Sequence, residues 1–425
     1  MIQSQANLVR IKNKKPARAR PNLWLTLLAF ILTLATATIV VLAVAPIVFP
    51  DISAELADGL LAVIGPEAVA NLESVSFQLQ DGLNYLRSEF DGGQVQIALS
   101  SPSPNLIAPT SASFVPPTFT PTSFLPAAPK NEATPPPPLA PTVAQNTPIP
   151  SDAVVSDPPQ IGWQAYGQSV NGQPVLARTM LQLDTQRSYA GIALVRIDLS
   201  KLQLHIMPGV LEPPHPEQIV QVISKLGMVP SVDQARLIAA FNGGFKNVHG
   251  QFGMMAAGVT LRNPKPGLST IAFYRNGSLK IGVWATDINA SLDLIAFRQN
   301  CAPLVQLGQI NPMLYTVSAG KVWGFTNNED ITWRTGLGLT FDARYLIYAV
   351  GNGTSAETLA QALQQAGAYN AMQLDIHQPY THFLTYQLDA DGFTLTASPL
   401  LNQMIYKPRL YLAPNPRDFF YLTAR

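Results

Sequence analysis

The sequence predicts an α/β fold for its C-terminal part, an α+β mixed sheet with flanking helices, carried behind an N-terminal transmembrane helix and a proline-rich linker. Three observations predict it. Short β-runs recur from Ile161 to Arg425, interrupted by a few stretches of helical spacing. Trp333 to His382 reads as a strand hairpin, a capped helix and a second strand ending in Asp375 and His377. The first 160 residues differ in composition from the rest, as their charges, apolar residues and prolines fall in separate blocks. Net charge is +1 and charged residues are only 12% of the chain, which gives no basic field for nucleic acid. One cysteine, Cys301, rules out an internal disulfide, so a hydrophobic core must stabilise the domain.

Residues 1–22 carry Arg10, Lys12, Lys14, Lys15, Arg18 and Arg20 and no acid. Leu23 to Phe49 then runs 27 residues without a charge, and about 20 suffice to cross a bilayer. Asp51, Glu55 and Asp58 follow. The basic flank places the N-terminus in the cytoplasm and residues 51–425 outside. The run is much longer than a signal-peptide core, which favours a retained anchor. No cysteine follows it to take a lipid.

Residues 51–100 contain amphipathic juxtamembrane helices. Leu56, Leu60, Leu61 and Ile64 have helical spacing, Pro66 interrupts it, and Val69, Leu72, Val75, Phe77, Leu79, Leu83 and Leu86 follow. A helical hairpin, a self-association segment over 51–90 and a surface-lying helix all fit. Residues 101–160 hold 17 of the 37 prolines, and Lys130 and Glu132 are the only charges in 101–150. Such a run favours extended polyproline conformations. It would reach on the order of 190 Å at ~3.1 Å per residue. The expectation is a globular domain over 161–425 held on a long tether.

Within that domain, Ala190–Asp198 and Leu202–Met207 read as strands joined at Ser200-Lys201, and His215–Gly227 as a helix. Ala235–Phe241 reads as a buried strand running into Asn242-Gly243-Gly244. Two glycines there allow positive φ or a close backbone approach, and their amides could hold an anion. Asn276-Gly277 marks a hairpin within Ile271–Trp284. Cys301, among apolar neighbours, reads as a buried structural thiol. Asp342-Ala343-Arg344 turns the hairpin of the Trp333 stretch. Thr354-Ser355-Ala356-Glu357 fits a capping box, and Gly367 closes the helix. In the following strand, Met372, Leu374 and Ile376 alternate with Gln373, Asp375 and His377. Period two would place an amide, a carboxylate and an imidazole on one face, about 7 Å apart.

Metal chemistry has little support. Asp389-Ala390-Asp391-Gly392 lacks the length and closing glutamate of a calcium loop and reads as a turn. His249, His377 and His382 lack a zinc spacing. No cofactor is expected, with a divalent metal left open.

Three motifs together resemble the phosphodiester glycosidase family, over residues from about 190 to 425. They are Asn242-Gly243-Gly244-Phe245, then Arg334-Thr335-Gly336-Leu337-Gly338, then the helix from Thr354 to Gly367 leading into Leu374-Asp375. The family pattern reads roughly NGGFF, R-[ST]-A-x-G and LDGGGS, and its animal member uncovers mannose 6-phosphate. This chain departs at the third motif, where Ile376-His377 replaces the glycines, and Lys246 stands for the second Phe. It would belong to a divergent, bacterial-type branch.

The resemblance implies hydrolysis of a sugar-1-phosphodiester in an envelope glycan or glycolipid, at the cell membrane. Arg334 would grip phosphate in a fork, with amides of Gly243 and Gly244 adding donors. Asp375 would act as base or stabilise the oxocarbenium-like centre. His377 would be acid or base partner. Asn242 would orient sugar or water, and Gln373 would help bind substrate. The rival reading is an inactive, tethered glycan-binding or envelope-organising module, which the missing glycines favour.

Overall fold

The structure is a computed structural model that describes residues 24, 33, 59, 63–90, 97–100, 161–223, 226–316, 322–323 and 329–425. The basic tail, the linker 101–160 and the apolar run 23–49, apart from Trp24 and Thr33, lie outside these residues. Among the described residues no helix is long and apolar enough to cross a membrane.

Among the described residues eighteen strands make three sheets. The largest contains β1 (Gln164–Val170), β2 (Gln173–Leu181), β3 (Gly191–Asp198), β11 (Pro303–Gln306), β12 (Gln309–Ile310), β13 (Thr332–Leu339), β14 (Tyr345–Thr354) and β15 (Asn370–Gln373). Its order is β1-β2-β3-β14-β13-β15-β11-β12. A second sheet, β7-β6-β10-β8-β9, is built from β6 (Met254–Ala256), β7 (Val259–Arg262), β8 (Ser269–Tyr274), β9 (Leu279–Val283) and β10 (Leu294–Gln299). The third, β17-β16-β5-β18-β4, uses β4 (Leu202–Met207), β5 (Leu237–Asn242), β16 (Phe383–Leu388), β17 (Leu395–Pro399) and β18 (Phe419–Ala424).

Every pairing between these described strands is antiparallel. The expected mixed α/β sheet is therefore corrected to mainly antiparallel sheets with few helices. The unit around Trp333–His382 shows why the sequence misleads. β14 and β15 do run parallel, joined through a helix, but β13 inserts between them and pairs antiparallel with both. The crossover thus skips a strand, which periodicity cannot reveal. Likewise β3 and β4, expected as a pair, pass into different sheets at Ser200-Lys201.

The expected helix over His215–Gly227 shrinks to α2 (Gln218–Val222), and α3 (Ser231–Gln234) is one turn. The helix α4 (Ala356–Gln365) forms as expected, but its N-cap is Ser355, whose hydroxyl accepts from the Thr358 amide. The box is shifted by one residue. Glu357 instead accepts from Gln361 one turn on. Gly367 ends α4 at φ +94°.

Apolar faces explain the layering. Val195, Ile197, Leu337, Tyr348 and Val350 on one side of the large sheet pack with Phe241, Phe383 and Phe420 of the third sheet and Ile271 of the second. On its other side Leu194, Ile347 and Ala349 meet Leu359 and Leu363 of α4, with Cys301 buried among them. Burial pushes the Cys301 thiol up to about 12, so it is an inert core group.

The segment before the linker is part of this assembly. Gly65, at φ +80°, leads into α1 (Pro66–Phe90). Val69, Ala70 and Phe77 are buried while Val75, Leu79, Leu83 and Leu86 face outward, so the apolar residues divide between two faces. Three polar contacts dock the helix: Ser74 donates to Asp330 at 2.8 Å, and Asp81 pairs with Arg187 at 3.0 Å and accepts from the Tyr189 hydroxyl. Farther on, Ile97 joins the core, and Leu99 bridges to Leu401.

Candidate active site

Sheet register brings three chain segments to one point. β5 ends at Asn242, which lies opposite Phe419 at the start of β18. Arg417 and Asp418 therefore sit beside Gly243 and Gly244. β15 ends at Gln373, opposite Gly336, and Asp375 is then tied down by its carbonyl, which accepts from the Thr335 amide at 3.1 Å and the Thr335 hydroxyl at 2.6 Å.

The glycine loop works by close approach. Neither Gly243 nor Gly244 has positive φ. A Cβ on Gly243 would collide with the Asp418 carboxylate and lie 2.7 Å from the Asp418 carbonyl oxygen. A Cβ on Gly244 would come within 3.0 Å of the Arg298 guanidinium. The amides already have an anion: Gly244 donates to Asp418 Oδ2 at 3.3 Å. Arg298 closes on the same carboxylate through Nε at 2.9 Å and Nη2 at 3.1 Å, and both side chains are buried. The expectation that these amides bind substrate phosphate is corrected, since an internal carboxylate takes the Gly244 amide and the Asp418 carbonyl takes that of Gly243.

Asp375 is the centre of the arrangement. Its Oδ1 accepts from the Ile376 amide at 2.8 Å, the His377 amide at 3.0 Å and His377 Nδ1 at 3.1 Å. Its Oδ2 accepts from Arg417 Nη2, which also donates to the Gly244 carbonyl. Burial acts to raise its pKa, but Arg417 and the His377 bonds outweigh it and hold the carboxyl well below the usual range. So Asp375 is an ionised carboxylate of low basicity. Arg417 lies over the Tyr380 ring at 4.4 Å, and its buried Nε has no hydrogen-bond partner.

His377 lies behind Asp375. Nδ1 meets Asp375, and Nε2 faces Glu73 of α1 at 3.5 Å. Burial opposes its protonation, yet these two acids raise its pKa to about 9. His249 stacks loosely nearby, ring centroids 5.7 Å apart; burial first, then the His377 charge, lowers it to about 4. An imidazolium between two carboxylates cannot be the free acid–base group expected from sequence.

Arg334 and Gln373 also need correction. Arg334 is fully buried and donates to the Thr354, Trp323 and Asp330 carbonyls and to Gln373 Oε1. Gln373 Nε2 donates to the Trp323 carbonyl at 2.7 Å. Both brace the floor of the site instead of facing a ligand. The expected polar row fails because β15 ends at Gln373, which bonds to Arg334 and the Trp323 carbonyl, while Asp375 and His377 contact each other. Asn242 is similarly committed: Nδ2 donates to the Gly243 carbonyl and Thr335, while Oδ1 accepts from Tyr348 and the His382 amide.

A cleft of about 430 Å³ opens here, with Asn242, Gly243, Gly244, Asp375, Tyr380 and Arg417 in its walls and Lys407 and Arg409 at its edge. Arg334, Gln373 and His377 are not in its lining. A larger cleft of about 870 Å³ beside His205 and Tyr421 has no carboxylate in its walls, which leaves it without the group that glycoside chemistry needs. Sequence reasoning missed Arg417, Asp418, Arg298 and Glu73. An Arg-Asp pair directly before the buried Phe419–Ala424 strand was a usable signal in a chain with only 12% charged residues.

Comparison with known proteins agrees with the three motifs. Residues 235–375 match the family model described as phosphodiester glycosidase. Among solved structures, the chain is similar to a zebrafish N-acetylglucosamine-1-phosphodiester alpha-N-acetylglucosaminidase catalytic domain, auto-inhibited by its pro-peptide. Identity is 16% and the TM-score 0.38, over 62% of this chain and 87% of that one. It is also similar to a hypothetical protein from Synechocystis at 12% identity and TM-score 0.33, over 63% of this chain and 64% of that one. No curated protein matches the chain.

Proposed function

Because residues 235–375 belong to the phosphodiester glycosidase family, we propose that the chain hydrolyses a sugar-1-phosphodiester, breaking the bond between the anomeric carbon and the phosphate oxygen. The observation that carries this reading is an ionised Asp375 paired with Arg417 in the wall of one cleft. Arg417 replaces Arg334 as the phosphate-binding cation. Its guanidinium supplies positive charge for the phosphate, with Lys407 and Arg409 adding more at the rim.

Asp375 faces the positive charge that develops at the anomeric carbon. The carbon–oxygen electron pair leaves with the phosphate. A water oxygen bonds to the carbon, and its proton passes to solvent or to the released phosphomonoester. That leaving group has a second pKa of about 6, so its departure near neutral pH needs no strong general acid. The position of His377 outside the cleft is compatible with this.

The same proposal places the domain outside the cytoplasm at the cell membrane, held by Leu23–Phe49, with an envelope glycan or glycolipid as substrate. The charge-free run and its basic N-terminal flank support it.

The test uses the full chain in detergent with a panel of synthetic sugar-1-phosphodiesters, measuring free sugar and phosphomonoester together. Wild type should turn over at least one member. Asp375→Asn and Arg417→Lys should each lower kcat/KM by about 100-fold or more, beyond the drop in unfolding midpoint that disturbing their buried pair brings. Binding without turnover by wild type would replace the hydrolase with a tethered glycan-binding module.

A further inference from the structure

The helix α1 lies far outside the segment that matches the family, yet it sends one side chain to the catalytic carboxylate's neighbour. Glu73 Oε1 is 3.5 Å from His377 Nε2, and the opposite ring nitrogen contacts Asp375 Oδ1 at 3.1 Å. The other Glu73 oxygen, Oε2, is buried without a hydrogen-bond partner. A half-satisfied buried carboxylate is costly. Docking alone does not require it, because Ser74–Asp330 and Asp81–Arg187 already fix the helix.

We propose that Glu73 is a positioning residue of the site: it grips the outer nitrogen of His377 and fixes this ring as an imidazolium behind Asp375. The result is a carboxylate–imidazolium–carboxylate chain whose inner end reaches the cleft. For its catalytic consequence the inference rests on the hydrolase reading above.

Charge bookkeeping around His377 explains the need. Asp375 and Glu73 favour its protonation and burial opposes it; His249, lowered to about 4, is neutral in this range, and Arg417 lies beyond Asp375. Tyr380 presents only a ring edge, with centroids 6.5 Å apart. The imidazolium and Arg417 together offset Asp375, and an anionic phosphodiester can approach that carboxylate. When pH rises and His377 loses its proton with Glu73 in place, the site becomes one unit more negative and repels the substrate. Glu73 therefore governs binding of the anion through His377, without touching it.

The experiment is a titration of the full chain in detergent, with histidine Cε1 labelled for NMR. Five histidines give five signals, and His377→Gln identifies the one that matters. His377 should titrate near pH 9 in wild type. Glu73→Gln, which keeps the shape and removes the charge, should lower that midpoint by a pH unit or more. The alkaline limb of kcat/KM should shift by the same amount, mostly through KM. Asp81→Asn loosens the same helix without facing His377 and should leave both readings in place. An unmoved His377 midpoint in Glu73→Gln overturns the proposal, and so does a midpoint that moves while the kcat/KM limb stays. If wild type hydrolyses nothing on the panel, the hydrolase reading fails, and the NMR midpoint alone still decides whether Glu73 holds His377 charged.

Discussion

At Gly243 the fold permits no side chain, and the reason is the neighbouring Asp418. That carboxylate is held by Arg298, whose Nε and Nη2 both reach it, so it cannot swing away from an added methyl group. Gly243→Ala should lower stability by about 1–3 kcal/mol, as overpacking at a rigid contact does, measured by denaturant unfolding. A change below about 0.5 kcal/mol would show that the loop can yield. Asp375 and Arg417 are a different case. Their pairing stabilises the fold and also lies in the wall of the cleft. For that reason their substitutions are expected to act on kcat/KM beyond any effect on folding.

At the scale of elements, α1 is coupled to the site by a titratable contact. The His377 pKa of about 9 lies above the value of about 6.5 expected in an unfolded chain. The sign follows: the contact with Glu73 and Asp375 contributes fully below about pH 6.5, and its contribution is lost as pH rises through 9. Hydrogen exchange of α1 amides, corrected for intrinsic rates and referred to α4, should show protection falling between these limits. A constant ratio between the two helices would exclude His377 as the coupling group. The reference is suitable because α4 is fixed by Ser355 capping and by Leu359 and Leu363 in the core, none of which titrates in this range.

For the whole molecule, the domain does not begin where the linker ends. Ile97 is buried in the main core, Ser100 donates to the Leu400 carbonyl at 2.9 Å, and α1 packs on the β13 side of the large sheet. A chain starting at residue 161 should therefore unfold at a temperature several degrees below one starting at residue 63, since about 1 kcal/mol moves Tm by roughly 2–4 °C at this size. Equal midpoints in a calorimeter would mean that these N-terminal contacts add nothing to stability. The long segment 101–160 makes this return geometrically easy, because loop closure costs grow only slowly with length.

The sequence by itself determined the local items. Strand β5 with its NGG ending, the Asn276-Gly277 turn, the Gly367 stop of α4, the buried Cys301 and the family over 235–375 were all legible. Each depends on a few adjacent residues whose backbone needs or apolar spacing are written in their own chemistry. Tertiary structure decided the antiparallel order, because the strand that separates β14 from β15 precedes them both in the chain. It also decided the partners of every charge in the site. Arg334 and Arg417 are equally able to bind phosphate as isolated side chains. Only packing shows that carbonyls and Gln373 saturate the first, while the second pairs with Asp375 in the cleft wall. Glu73 and His377, some 300 residues apart in the chain, meet solely because α1 docks over the end of β15, a long-range contact with no local signature.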